Sequence, residues 1–348
     1  MPEVMQLISL ALINFRNYKK QRFEFSGLTT VITGDNSAGK SNILEAIYLL
    51  ATGKSFRAEK DEQMVLYGQE FGRVSGETDI GELTVFLSRT KRFLVNGVGK
   101  RRMDFVGKLT CVLFRPEDID LVLGSPSLRR EYLDQVLEQT DREYRRSNLA
   151  YQKGLRQRNK LLERIRDGEA ERKQLLFWDQ MLIKNGDIIS NKRAEFLELV
   201  NQDLKGRGLN LSLQYDKSAI SESRLKQYAV NEVAAAKTLV GPHRDEFLFI
   251  VQREGKAAKD LSIYGSRGEQ RMAILGVKLA EFEFVKKATG EAPVLLLDDI
   301  FSELDADNRK EVLNLIDHQQ TVITTADIKL LPKKWQKNNL IQLNYGKD

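Results

Sequence analysis

Cysteine is nearly absent from this chain: Cys111 is the only one among 348 residues. An intrachain disulfide is therefore excluded, and the apolar surroundings Leu109–Phe114 make Cys111 a buried strand thiol suited to a reducing compartment. Histidine is scarce too, with two residues, so a zinc site built from His and Cys is not expected. No apolar run approaches the roughly 20 residues that span a bilayer, and the residues after Met1 lack a signal-peptide pattern. These absences predict a soluble cytoplasmic protein without a membrane partner. The length suits two domains, or one with a large insertion, and is enough to bury a real core. A formal net charge of +6 permits contact with polyanions without demanding it.

What is present is a phosphate-binding sequence. Gly34, Asp35, Asn36, Ser37, Ala38, Gly39, Lys40 and Ser41 satisfy Gly-x-x-x-x-Gly-Lys-Ser/Thr, after the β-branched run Thr29–Thr33 and before a helical pattern. Glycines at 34 and 39 let several backbone N–H groups point at one anion, while the next helix presents its positive end. Lys40 is expected at the β- and γ-phosphates of ATP, the Ser41 hydroxyl on Mg²⁺, and Asn42 in the first helical turn. Apolar Ile43, Ala46, Ile47 and Leu50 share one face of that helix, which should stop near Gly53.

Two later pieces complete the pattern. Val294–Leu297 reads as a strand buried on both faces, with Asp298 and Asp299 at its carboxyl end, where open α/β sheets place ligands. One Asp can hold Mg²⁺, directly or through water, and the other can polarise an attacking water. Asp298, Asp299 and Lys40 are thus the catalytic candidates, with Ser41 and Asp298 on the metal. Ser266 and Glu269 have the capping-box spacing and open an amphipathic helix through Met272, Leu275, Leu279 and Phe282. A helix start with a serine hydroxyl and a glycine amide is also an anion site, which could meet a γ-phosphate presented by a second molecule.

The early loop, the string Ser266, Arg267, Gly268, Glu269 and Gln270, the acid pair and Ser302-Glu-Leu-Asp305 resemble the ATPase heads of the ABC superfamily. Further strings resemble the RecF family of bacterial recombination mediators, related to structural-maintenance-of-chromosomes (SMC) proteins. They are Asn14–Tyr18, Lys54–Arg57, Phe114–Asp118, Gly124–Arg130, Gly241–Asp245 and Gly265–Arg271, and they span most of the chain in matching order. The resemblance implies an ABC/SMC-type ATPase head, with a parallel nucleotide-binding sheet and an antiparallel β lobe, carrying an inserted, mostly helical arm. It also implies an ATP-dependent homodimer in which the Ser266–Gln270 signature acts in trans. The expected activity is a weak, DNA-stimulated ATPase acting in recombinational repair and replication, with a link to the SOS response. Expected partners are double-stranded, gapped and single-stranded DNA and proteins of the RecO and RecR type.

Some positions depart from the wider superfamily. Asp299 stands where transport ATPases usually have Glu, as it does in RecF proteins, and one methylene less of reach predicts slow hydrolysis. The switch histidine is missing, with Thr324, Thr325 and Asp327 offered instead, and Phe114–Asp118 is the nearest equivalent of the glutamine loop. Arg16 and Arg57 either fold back onto phosphates or adenine or make ordinary surface pairs. His243 belongs either near nucleotide, DNA or a partner, or to a structural turn; His318 suits a helix C-terminus.

The remaining pattern sets the organisation. Runs at Leu83–Leu87 and Arg92–Val95 followed by Asn96-Gly97 predict strands and a tight hairpin. From about Ser127 to Glu198 the chain is charged and helical without a long heptad run, which predicts a compact arm, with a strand near Leu209–Tyr215. The expected head is 1–118 and 240–348, and the expected arm 119–239. In the arm, arginines interleave with Tyr132, Tyr144 and Tyr151, a mixture suited to phosphates and bases, and Arg129, Arg130, Arg145 and Arg146 are the candidate DNA contacts. Two other readings are the ATPase subunit of a membrane transporter and a small-molecule phosphotransferase. The long insert and the missing Glu and His weigh against the first; the signature and the arm are unexplained by the second.

Overall fold

The computed structural model describes residues 6–25, 28–253, 255, 257–302, 304, 306–316, 319–337 and 339–343. It forms two compact units, Met1–Asp118 with Glu281–Asp348, and Ile119–Ala280. The first unit begins with β1 (Leu7–Phe15), β2 (Tyr18–Glu24), β3 (Thr29–Gly34), α1 (Lys40–Thr52), β4 (Gly72–Thr78), β5 (Gly81–Leu87), β6 (Arg92–Val95), β7 (Val98–Lys100) and β8 (Cys111–Phe114). Next come α2 (Pro126–Thr140), α3 (Arg142–Arg166), α4 (Leu176–Gly206), β9 (Leu211–Asp216), α5 (Glu222–Ala235), β10 (Glu246–Val251), β11 (Lys259–Asp260) and α6 (Arg267–Thr289). The chain finishes with β12 (Val294–Asp298), α7 (Ala306–Ile316), β13 (Thr321–Thr325) and β14 (Leu340–Leu343).

Two sheets build the first unit. One is parallel throughout, in the order β14-β3-β13-β12-β8; the other is antiparallel, in the order β2-β1-β4-β5-β6-β7. Asn96 and Gly97 both take positive φ, as a two-residue hairpin twisting with its strands requires, and they join β6 to β7. Helix α1 lies between the sheets. Its Ile43, Leu44, Ile47 and Leu50 share one apolar cluster with Leu10, Val74 and Val85 of the antiparallel sheet and Ile32, Leu296 and Val322 of the parallel one. The expected one-sided apolar face is in fact nearly all-round burial, because a sheet covers each side. Each such Leu or Ile contributes roughly 1.5–3 kcal/mol relative to exposure.

The second unit is helical with a small sheet. α3 and α4 run antiparallel, Gly154 facing Met181 and Leu182 while Gly186 faces Tyr151, so small residues let the helices approach. Buried arginines tie the unit together. Arg158 bonds Asp179, Glu232 and Thr238, and Arg193 reaches Asp134, Asp245, Tyr144 and the Pro242 carbonyl. These pairs specify geometry more than they stabilise, since desolvation offsets much of their attraction. Residues 240–280, expected in the head, group with this unit instead. The reason is backbone pairing: β10 is hydrogen-bonded to β9, with Phe247 opposite Tyr215 and Phe249 opposite Leu213.

Distant parts of the chain also meet at Gln320, whose buried amide accepts from the Leu7 N–H at 2.7 Å and donates to the Leu7 carbonyl at 2.8 Å. The side chain thereby acts as one residue of a strand beside β1. Gln320→Leu keeps the bulk but orphans both backbone groups, each worth about 1–3 kcal/mol when buried. Urea denaturation should show a loss of about 2–4 kcal/mol; a variant as stable as the parent contradicts this role.

Candidate functional site

The turn from β3 into α1 is shaped for an anion. Ser37 and Gly39 lie at φ 73° and 96°, and α1 starts at Gly39 with no side chain capping it, so its first N–H groups are left to a ligand. Gly39 is required sterically as well. A Cβ there would sit 2.7 Å from the Tyr18 hydroxyl and the Asn17 amide. Lys40 is buried in the turn, its ammonium donating to the carbonyls of Gly34 at 2.7 Å and Asp35 at 3.0 Å. The motif expected from sequence is thus in position, with Asp35, Asn36 and Ser37 exposed along the loop and Asn42 donating to Asn17.

The acid pair closes the same site. Ser41 Oγ donates to Asp298 Oδ1 at 2.9 Å, across 257 residues of chain. Thr324 Oγ1 donates to the same oxygen at 2.6 Å, because the parallel register sets Thr324 opposite Asp298. The Asp299 N–H in turn donates to the Thr324 carbonyl and hydroxyl, both at 3.1 Å, and Asp299 adopts φ 50°. Thr324 therefore holds both acids, a role that the sequence reading, which had it only as a stand-in for the switch histidine, did not anticipate. The available signal was that β13 ends in two threonines at the level of the acids. Thr325 and Asp327 bond each other instead, in the turn after β13. A serine hydroxyl and a carboxylate at hydrogen-bond distance, beside a phosphate turn, fit a hard cation brought by a nucleotide.

Two arginines differ in placement. Arg16 makes a bidentate pair with Glu45, which is fully buried in α1, at 2.7 and 2.5 Å, and also donates to the Gln63 carbonyl. Ser55 donates to the same carboxylate at 2.5 Å. Of the two alternatives for Arg16, pairing within the chain is the one these bonds form: each of its three nitrogens donates once, and the side chain braces the helix behind the loop. Arg57 is exposed and donates to Asn42 at 3.2 Å, beside the first turn of α1. Arg115, in the position of the glutamine loop, stacks on Phe56 and pairs with Asp118.

In the second unit, α6 begins as its capping box predicts. The Ser266 N–H donates to Glu269 at 2.8 Å and the Glu269 N–H to the Ser266 hydroxyl at 3.2 Å. That backbone N–H and the Arg253 guanidinium pull the Glu269 carboxyl down to about 2, so it stays ionised and fixes the turn. Ser266, Arg267 and Gly268 are exposed, and a Cβ on Gly268 would meet nothing within 4 Å in its own chain. Gln270 is buried against the Leu261 and Gly265 carbonyls. Of the string after the acids, Ser302 donates to the Asp299 carbonyl, while Glu303, Asp305 and also His318 lie outside the described residues.

The arm candidates separate on burial. Arg129 is buried in a bidentate pair with Glu246 and also bonds the Leu121 and Gly124 carbonyls, so it is structural and the DNA assignment is corrected. Arg130 donates to the Asp245 carbonyl and Arg145 to the Glu138 carbonyl, both half-buried, whereas Arg146 is exposed. Tyr132, Tyr144 and Tyr151 are all buried, which removes the expected stacking surface. His243 is a structural turn residue. Its Nε2 faces the Thr238 carbonyl at 2.9 Å and must carry the proton, leaving Nδ1 to accept from Tyr151 at 2.8 Å.

Fold and site together define an ABC/SMC-type P-loop ATPase head with an inserted arm. A family model described as "RecF/RecN/SMC N terminal domain" matches residues 6–343. The chain is 36% identical to the DNA replication and repair protein RecF of Cyanothece sp., covering 96% of this chain and 95% of that one. Among solved structures, the recombination mediator protein RecF-ATP in the RecFOR pathway is similar at a TM-score of 0.87 and 32% identity, with 94% of each chain covered. An Smc head domain from Pyrococcus furiosus, at a TM-score of 0.51 and 18% identity over 97% of this chain and 93% of that one, shares the fold. This chain belongs to the RecF family.

Burial lowers the His243 imidazole to about 4, with Arg244 and Arg130 adding to the shift and the Thr238 carbonyl and Asp245 opposing it. The folded state thus keeps a neutral ring where the unfolded chain binds a proton, so stability is complete above about 6.5 and declines as pH falls toward about 4. The decline should reach about 3 kcal/mol. Denaturant unfolding of wild type and His243→Asn across that range should show the steeper acid loss in wild type; identical slopes contradict a buried neutral imidazole.

Proposed function

We propose that this protein is an ATP-dependent DNA-binding protein of recombinational repair and replication, in which ATP joins two copies of the chain. The observation that carries this reading is the convergence of Lys40, Ser41 and Asp298, with Thr324 holding the acid, at an uncapped helix start. The named relatives supply the biology: RecF proteins are described as acting in DNA replication and repair, and one is seen with ATP.

ATP with Mg²⁺ supplies the phosphoanhydride bond and the charge that the site neutralises. Lys40 exchanges the Gly34 and Asp35 carbonyls for phosphate oxygens, and the α1 N–H groups cradle them. Ser41 and Asp298 would hold the metal, which would supply charge neutralisation at the phosphates, and Arg57 and Asn42 stand at the edge of the site. Asp299 orients the attacking water; its short side chain, on a backbone held by Thr324, makes hydrolysis slow. The second subunit's Ser266 keeps a hydroxyl proton to donate after accepting its capping bond, and its Gly268 lets a γ-phosphate approach unhindered. Since both contacts exist only in the closed pair, ATP shifts the monomer–dimer equilibrium and hydrolysis releases it. Dimers on duplex, gapped or single-stranded DNA would help partners of the RecO and RecR type load recombinase, in the cytoplasm and in step with the SOS response.

Light scattering with ATP, with ADP and without nucleotide tests the shared site. ATP alone should double the mass, and Lys40→Met and Ser266→Arg should each leave a monomer; a mass indifferent to nucleotide sinks the model. Asp299→Asn should lower ATP hydrolysis by about 100-fold or more while preserving ATP-driven association. Thr324→Val should also slow hydrolysis, by roughly 10-fold, through misplaced acids. Turnover unchanged in Thr324→Val removes it from the site.

A further inference from the structure

Helix α3 divides its charge sharply by face. At roughly 100° per residue, its buried residues Tyr144, Ser147, Asn148, Tyr151, Gly154, Arg158 and Leu162 fall on one side. On the opposite side, Arg142, Arg146, Leu149, Lys153, Arg156, Lys160 and Arg164 lie within an arc of about 80°, and every one is exposed. That stripe holds six cations and no acid, in a chain whose net charge is +6. Its neighbour α4 exposes Lys184 and Lys205 together with Asp187, Glu195 and Glu198, the mixture expected of a face that only meets water. Among the described residues Arg146, Lys153, Arg156 and Lys160 form no ion pair, and Arg164 has only an exposed one, to Glu169 at 3.8 Å.

We infer that this stripe is a track for the phosphate backbone of duplex DNA. The inference rests on the DNA-binding reading above and assigns its surface. From Arg142 to Arg164 the stripe is about 33 Å long at 1.5 Å per residue, close to one turn of duplex, about 34–36 Å. Exposed neighbours three and four residues apart place a cation on each helical turn but one, where Leu149 stands. The face carries no aromatic side chain, since Tyr144 and Tyr151 point into the core, so it lacks the ring platforms on which unpaired bases stack best. A helical line of six exposed cations with no acid among them suits backbone contact without base readout.

The test uses the full-length protein with ATP, a 30-base-pair duplex and a 30-nucleotide single strand, measuring fluorescence anisotropy across a salt series. Wild type is compared with Arg146→Gln/Lys153→Gln/Arg156→Gln/Lys160→Gln, and with a charge-keeping quadruple variant that exchanges Arg and Lys at the same positions. The neutral variant should lose at least about 30-fold in duplex affinity, and its slope of log K against log salt should shrink by about 3–4. The charge-keeping variant should bind like wild type, and thermal melting should be the same for all three. A folded neutral variant with wild-type affinity and slope overturns the stripe and leaves the DNA-binding reading standing. Equal losses on single strand and duplex overturn the duplex assignment, and a wild type that binds neither DNA overturns both readings.

Discussion

The parallel sheet interleaves strands from opposite ends of the chain, and the site depends on that interleaving. β13 is inserted between β3 and β12, with Thr324 paired to Ile32 on one side and Asp298 on the other. The register is fixed by packing, because a slip by one residue would move Ile32, Leu296 and Val322 to the opposite face of the sheet, away from the cluster they share with α1. The same register that packs the apolar cluster therefore brings the Asp298 carboxylate to the Ser41 hydroxyl. The placing of the acid beside the phosphate turn is thus a by-product of core packing.

Around that sheet the charged groups take two kinds of role. Arg16, Arg129, Arg158 and Arg193 are each engaged by carboxylates together with carbonyl or hydroxyl oxygens at low exposure, and they fix how helices and turns sit. Lys40, Arg57 and the outer face of α3 are engaged weakly or by groups that a ligand can replace. The difference follows from desolvation and partner: the buried guanidiniums are matched by carboxylates, the buried Lys40 ammonium only by neutral carbonyls that phosphate can replace, and the exposed cations stay in water. Composition alone could not distinguish them, since both kinds carry the same residue types.

The capping box at Ser266 shows how structure and function share atoms. Glu269 is held ionised by the N–H of the residue it caps, so the serine is oriented before any ligand arrives. At Gly268, two residues on, a Cβ would meet nothing within 4 Å, so packing within the chain does not require the glycine there.

By itself, the sequence determined what is local. The Gly-x-x-x-x-Gly-Lys-Ser loop, the Asn96-Gly97 hairpin, the acid pair ending β12 and the Ser266 cap each depend on conformational preferences or hydrogen bonds within a few residues, and each stands where expected. Tertiary structure alone decided which unit the residues near 240–260 join, because that follows from β10 pairing with β9 rather than from composition. It also decided that Thr324 bonds the Asp298 carboxylate and the Asp299 backbone, that Arg16 and Arg129 pair with internal carboxylates, and that the arm tyrosines face inward. Contacts made across tens to hundreds of residues carry no local signature. Their partners become legible only once the chain has closed on itself.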